Sequence, residues 1–184
     1  MATMAARHNR QKPHVVAVKT GAALGAEISN LDLAQPVAAA NMSAIQKAFV
    51  EHGLLIFRNQ DLTQDEYIAF GRQFGELTVH PFATSLPDHP ELIVLDNDGD
   101  NPPLSTDQWH SDEMFREEPP AATIIRSTIT SPIGGDTVLA SMTAAYDALP
   151  EETKARIDGL KCNYSLNRDL ELVWSDRKQT PEQK

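Results

Sequence analysis

The residues best suited to chemistry lie in the short segment Trp109-His110-Ser111-Asp112, in the middle of the chain. In an extended segment, residues i and i+2 point to the same side. His110 and Asp112 can therefore offer an imidazole nitrogen and a carboxylate oxygen to one metal ion. Such a pair is two thirds of the 2-His-1-carboxylate triad, which binds Fe(II) and leaves positions open for O₂ and a cosubstrate. Taken alone, the spacing favours a plainer interpretation, a surface histidine beside a capping aspartate.

Short strand and helix signals alternate irregularly around this segment. Apolar runs and β-branched residues predict strands at 15–18, 24–33, 54–59, 91–95, 122–127, 135–141 and 159–166. Helical spacing predicts helices at 41–52, from a T-x-x-E capping box at 63–66 to Gly75, at 142–149 and at 151–160. The segment 96–107 is a loop by composition. This mixture indicates an α+β arrangement or a sheet-rich barrel with helical additions.

Several separated motifs favour the metal-binding interpretation of His110 and Asp112 over the plainer one. They are RQFGELTVHP (72–81), ELIVLD (91–96), NPP (101–103), WHSDEMF (109–115), GGDT (134–137) and AAYDALP (144–150). In this order they resemble the taurine/2,4-D (TauD/TfdA-type) dioxygenases, which depend on Fe(II) and 2-oxoglutarate. The resemblance covers most of residues 20–165.

The resemblance implies a mainly β, α+β fold: a double-stranded β-helix, or jelly roll, with flanking helices. It implies that His110 and Asp112 bind Fe(II) and that the Thr137 hydroxyl helps to bind the cosubstrate 2-oxoglutarate. Taken alone, Thr137 is better explained as a β-branched strand residue after a tight Gly-Gly turn. The implied activity is hydroxylation, with O₂, of a small organic acid such as a sulfonate, a sulfate ester or an aryloxy acid. The products that the resemblance implies for the cosubstrate are succinate and CO₂.

The substrate pocket is expected to include His80, Glu113 and Phe115. By resemblance, His80 hydrogen-bonds an anionic or polar group, although a plain loop histidine before a proline is the alternative. Glu113 brings a carboxylate where the family usually has a small apolar residue. Ala83 and Thr106 stand where taurine-specific relatives have a phenol and an amide, so taurine itself is not carried over as substrate. Phe115 either contacts substrate or packs behind the metal site.

Composition sets limits on the class of protein. Of 184 residues, 26 are acidic and 16 basic, so the net charge is −10, which argues against nucleic-acid binding. No apolar run is long enough to span a membrane and no secretory signal is evident, so we expect a cytoplasmic protein. The single cysteine, Cys162, excludes an internal disulfide and is expected to be a small buried hydrophobe. By resemblance, the protein forms a homodimer or homotetramer.

No histidine follows the H-x-D pair. In the family, the second iron histidine and the arginine that binds 2-oxoglutarate lie far downstream. We therefore expect a leader (1–13), the N-terminal portion of one jelly-roll domain (14–174) and a mobile tail or lid segment (175–184). Three alternatives stay open: a metal site completed by His80 or another upstream histidine, a non-catalytic fragment or ligand-binding protein of the same fold, and a zinc-dependent hydrolase.

Overall fold

Helices and strands alternate through the computed structural model, which describes residues 15–21, 23–81, 83, 85–95 and 109–165. Within these residues the elements are β1 (Val16–Lys19), β2 (Ala26–Ser29), α1 (Ala39–His52), β3 (Leu55–Phe57), α2 (Gln64–Gly71), β4 (Ser85–Leu86), β5 (His89–Ile93), α3 (Met142–Asp147) and α4 (Glu151–Ile157). The predicted leader, the loop at 96–107, Thr106 and the tail lie outside the described residues. The chain divides into a first unit, Met1–Gly75 with Ser131–Lys154, and a second unit, Glu76–Thr130 with Ala155–Lys184.

The first unit is organised around a small sheet of order β1-β2-β3. Strands β1 and β2 pair antiparallel, whereas β2 and β3 pair parallel with Ala26 opposite Leu55. A parallel pair needs a long crossover, and α1 provides it. Helix α1 begins two residues earlier than predicted and ends, as predicted, at Gly53. This glycine adopts a left-handed φ of 68° and donates its N–H to the carbonyl of Phe49.

The core of the first unit lies between the sheet and the two long helices. Its buried hydrophobic residues include Ala26, Ile28, Leu33, Met42, Ile45, Ala48, Leu62, Ile68 and Phe70. Helix α1 contributes Ile45, which is fully buried. Val50, predicted to lie on the same apolar face, is 86% exposed. Five residues at about 100° each place Val50 well off the stripe that contains Ile45.

Helix α2 starts as the sequence predicts. The Thr63 hydroxyl accepts the N–H of Glu66, and the Glu66 carboxylate accepts the N–H of Thr63 at 2.7 Å, which completes the capping box. The helix ends at Gly71 rather than at the predicted Gly75. Residues 72–74 continue as turns, and the Phe74 ring packs edge-on against Phe70 with centroids 5.4 Å apart. The Phe74 ring also packs edge-on against Phe49 of α1, with centroids 6.5 Å apart, so Phe74 joins the core although it lies beyond the helix.

In the second unit, β4 and β5 form a two-stranded antiparallel hairpin. Strand β5 overlaps the predicted strand at 91–95, whereas β4 was not predicted. Among residues 109–165 the structure contains no strand, although the sequence predicts three there, at 122–127, 135–141 and 159–166. A strand requires a hydrogen-bonded neighbour, and the described residues supply none for these segments. Helices α3 and α4 form where predicted, because a helix satisfies its own hydrogen bonds.

Cys162 is exposed, so its predicted burial is wrong. It hydrogen-bonds Tyr164, and this bond, followed by charge repulsion from the thiolate, raises the pKa of the phenol. In the described part of the chain, no helix is both long enough and apolar enough to cross a membrane.

Candidate active site

His110 and Asp112 lie side by side at the surface of the second unit. The Nε2 atom of His110 is 3.4 Å from the Oδ1 atom of Asp112, and the two side chains are 59% and 47% exposed. Ligands in neighbouring positions around one ion, each about 2.1 Å from it, lie about 3 Å apart. The donor types and their separation therefore fit a shared metal ion that solvent and substrate can reach.

A third side chain orients the carboxylate of this pair. The Thr123 hydroxyl donates a hydrogen bond of 2.7 Å to the Oδ2 atom of Asp112. Because Oδ2 is engaged in this way, the carboxylate is held with Oδ1 toward His110. Outer partners of this kind fix the orientation of metal ligands. Sequence reasoning missed Thr123, because nothing in an apolar segment eleven residues downstream signals contact with Asp112.

Glu113 follows Asp112 in a turn at 112–115 and has a left-handed φ of 48°. Its carboxylate forms an ion pair with the guanidinium of Arg116 and accepts a long hydrogen bond, 3.5 Å, from the Thr78 hydroxyl. Only 11% of the Glu113 side chain is exposed. The residue predicted to contact substrate therefore directs its charge into the protein.

Arg116 connects this turn to the segment that precedes His80. One terminal nitrogen of its guanidinium donates to the carbonyl oxygen of Val79 at 3.2 Å. The same guanidinium lies over the Phe115 ring, 5.7 Å from its centroid, and Phe115 is half-buried. These contacts favour a packing role for Phe115, and its contact with substrate stays a prediction.

His80 has a defined ring orientation. Its Nδ1 atom accepts the backbone N–H of Ala83 at 3.0 Å. A ring nitrogen that accepts a hydrogen bond carries no proton, so in the neutral ring the proton is on Nε2. This contact favours the tautomer of the neutral His80 ring that donates through Nε2, as recognition of an anion would need.

Thr137 belongs to the first unit, where it follows two glycines with left-handed backbones. The φ angles of Gly134 and Gly135 are 71° and 77°, values that residues with a side chain rarely adopt. Thr137 is exposed. Its predicted contact with 2-oxoglutarate stays a prediction.

The described residues supply only part of a metal centre. Among them, no group of three or more His, Cys, Asp or Glu side chains is arranged to hold one ion. Completion of the site by His52, His80 or His89 is therefore not seen, and His8 and His14 lie outside the described residues. The pair His110 and Asp112 is the part of the predicted site that the structure brings together, with Glu113 in the same turn.

Comparison with known proteins identifies a family model and several relatives that this chain matches. The sequence model of the family described as "Taurine catabolism dioxygenase TauD, TfdA family" matches residues 17–184. The (S)-phenoxypropionate/alpha-ketoglutarate-dioxygenase of Sphingobium herbicidovorans is 34% identical over 149 residues, which are 79% of this chain and 52% of the relative. The alpha-ketoglutarate-dependent sulfate ester dioxygenase of Pseudomonas putida is 35% identical over 154 residues, 83% of this chain and 50% of the relative.

Solved structures agree with these sequence matches. A taurine dioxygenase from Burkholderia xenovorans superposes with a TM-score of 0.68 at 31% identity, over 80% of this chain and 52% of that one. AAD-2, in complex with Mn(II) and N-oxalylglycine, superposes with a TM-score of 0.65 at 28% identity, over 91% of this chain and 58% of that one. The chain spans about half the length of the curated relatives it matches. Its fold is accordingly part of the jelly roll with flanking helices that the motifs imply, and the chain belongs to the TauD/TfdA family of dioxygenases.

Proposed function

We propose that the protein is an Fe(II)- and 2-oxoglutarate-dependent dioxygenase. It hydroxylates a small organic acid with O₂ and releases succinate and CO₂. The observation that carries this proposal is the pair of His110 Nε2 and Asp112 Oδ1 at 3.4 Å, with Thr123 holding the carboxylate. When bound, Fe(II) with 2-oxoglutarate supplies the activation of O₂.

The chain's own residues have distinct roles in this proposal. His110 and Asp112 bind the metal, and the exposed hydroxyl of Thr137 binds the far carboxylate of 2-oxoglutarate. His80 donates a hydrogen bond through Nε2 to the anionic group of the substrate. Phe115 supports the turn of Asp112 and forms an apolar wall. These side chains orient the substrate and limit the access of water.

The substrate class rests on charge and on the relatives. An acid with an apolar body suits a pocket to which His80 brings an imidazole donor and Phe115 an aromatic ring. The names of the relatives include phenoxypropionate and sulfate ester dioxygenases, which act on compounds of this class. We therefore infer a sulfate ester, an aryloxy acid or a sulfonate. A cytoplasmic location and a dimer or tetramer belong to the same proposal.

The intact mass of the purified protein is measured first. Succinate formation from 2-oxoglutarate is then measured with and without Fe(II). We expect Fe(II)-dependent succinate that increases with a phenoxypropionate or an alkyl sulfate. Asp112→Ala abolishes it, while Glu117→Ala, a change at an exposed carboxylate in the same segment, leaves it intact. Succinate formation that does not depend on Fe(II), or none at all from a protein of verified mass, contradicts the proposal.

One observation favours a second candidate, a ligand-binding protein without catalysis. In the part of the chain that the structure describes, two metal ligands come together rather than three. A binding protein would retain the organic acid in equilibrium dialysis without Fe(II) and would form no succinate. The oxygenase is distinguished from it by turnover that disappears when Fe(II) is chelated.

A further inference from the structure

Two segments of the second unit that are distant in sequence are linked by hydrogen bonds to the two partners of an ion pair. One is the metal turn, residues 109–116, and the other is the His80 loop, residues 76–83. Arg116 pairs with Glu113 inside the metal turn and donates to the Val79 carbonyl in the His80 loop at 3.2 Å. The Thr78 hydroxyl, also in the loop, donates to Glu113 Oε1 at 3.5 Å. Both partners of the pair therefore reach across to the loop.

The burial of Glu113 indicates that its ion pair with Arg116 stabilises the structure of the site. The Glu113 side chain is 11% exposed, whereas that of its neighbour Asp112 is 47% exposed. A largely buried carboxylate needs hydrogen-bond partners, and Arg116 and Thr78 supply them. An unpaired carboxylate here would also repel an acidic substrate, and the guanidinium neutralises it. Glu113 is thus better suited to hold the site together than to bind the substrate.

The backbone of Glu113 gives an independent reason for a link at this position. Its φ of 48° is left-handed, a conformation that residues other than Gly, Asn and Asp seldom adopt. The turn closes through the Arg116 N–H, which donates to the Glu113 carbonyl at 3.0 Å. Side-chain contacts must therefore compensate for an unfavourable local conformation directly after a metal ligand.

We propose that Glu113 and Arg116 are positioning residues that latch the metal turn to the His80 loop. The latch keeps His110 and Asp112 in a constant relation to His80, so that the metal-binding and substrate-binding groups move as one body. The meaning of this arrangement for catalysis rests on the proposed function. The latch itself is a property of the polypeptide and can be measured without metal or substrate.

Two backbone amides report on the two segments. The Arg116 N–H is bonded within the metal turn, and the Ala83 N–H is bonded to His80 Nδ1 within the loop. Hydrogen exchange at these amides, followed by NMR on the full chain, measures how often each segment opens. Glu113→Asn removes the ion pair and the carboxylate that accepts from Thr78, yet tolerates the left-handed backbone. Arg116→Met removes the ion pair and the hydrogen bond to the Val79 carbonyl. Glu117→Asn, the same change at an exposed carboxylate, is the matched control.

We expect exchange at both amides to accelerate about tenfold in Glu113→Asn and in Arg116→Met, and to be unchanged in Glu117→Asn. Acceleration at Arg116 alone would overturn the latch, because Glu113 would then stabilise only its own turn. Global unfolding of both variants would also overturn it, since a contact between two partly exposed segments should not determine the stability of the whole chain.

A second readout separates this inference from the proposed function. Mn(II) affinity is measured by electron paramagnetic resonance in the same proteins, and we expect it to fall severalfold in both latch variants. If the unmodified protein binds no Mn(II) but both amides still accelerate, the proposed function fails and the latch stands. If Mn(II) binds and neither amide changes, the latch fails and the proposed function stands.

Discussion

The hydroxyl of Thr123 donates a 2.7 Å hydrogen bond to the Oδ2 atom of Asp112, whose other oxygen, Oδ1, lies 3.4 Å from His110 Nε2. One oxygen of this carboxylate thus accepts from Thr123, and the other faces His110, the second candidate metal ligand. A freely rotating carboxylate would have to be ordered when metal binds. Thr123 already fixes the orientation of this carboxylate.

Thr123→Val is expected to weaken Mn(II) binding by about tenfold or more, because valine matches threonine in shape but cannot donate to Asp112. Electron paramagnetic resonance titration of the full protein measures the affinity. Thr123→Ser keeps the donor and should bind almost as the unmodified protein does. Thr128→Val, at another exposed threonine, tests the general effect of the substitution. Equal affinity in Thr123→Val and the unmodified protein would remove Thr123 from the metal site.

Ile45→Ala should lower the free energy of unfolding by about 2–5 kcal/mol, since Ile45 is fully buried and its truncation leaves a cavity under helix α1. Urea denaturation monitored by circular dichroism measures the change. Val50→Ala in the same helix is the control: Val50 is 86% exposed, so a change within about 0.5 kcal/mol is expected. Similar losses in the two variants would contradict the packing of α1 described above.

Thr63→Ala should cost about 1 kcal/mol of stability, because it leaves the N–H of Glu66 without its capping acceptor. Thr63→Ser retains the hydroxyl and should restore most of the loss. Thr130→Ala, at an exposed position outside the helices, is expected to have little effect. The midpoints of denaturant unfolding are compared for the unmodified protein and the three variants. An unchanged midpoint in Thr63→Ala would mean that the capping box does not stabilise α2.

Cys162→Ala should lower the pKa of Tyr164 toward its ordinary value. The hydrogen bond to Cys162, and then repulsion between thiolate and phenolate, hold that pKa above 10.0 in the unmodified chain. Absorbance near 295 nm follows phenolate formation as the pH rises, and the Tyr164→Phe variant identifies the contribution of this residue. In Cys162→Ala the Tyr164 transition should move to lower pH. A transition at unchanged or higher pH would show that the thiol does not control it.

Local features of the fold were predictable because their partners are close in sequence. Thr63 and Glu66 are three residues apart, so the capping box follows from residue types and spacing alone. Helix α1 and its end at Gly53 follow from a repeating apolar pattern and one glycine. Strand β4 was missed and the strands at 122–127 and 135–141 were predicted wrongly. Pairing across a sheet is a property of two segments, and one segment's sequence does not contain it.

The same division holds at the candidate site. The sequence by itself determined which two residues are the candidate metal ligands, because His110 and Asp112 are two residues apart, carry donor types that bind Fe(II) and stand among the motifs of the family. Only the tertiary structure decided that Thr123 holds Asp112 and that Glu113 pairs inward with Arg116 beside Thr78. Glu113 and Thr78 are 35 positions apart, and no local pattern signals such a contact. Residue types specify which chemistry a side chain can perform, whereas the folded chain specifies which of its possible partners is within reach.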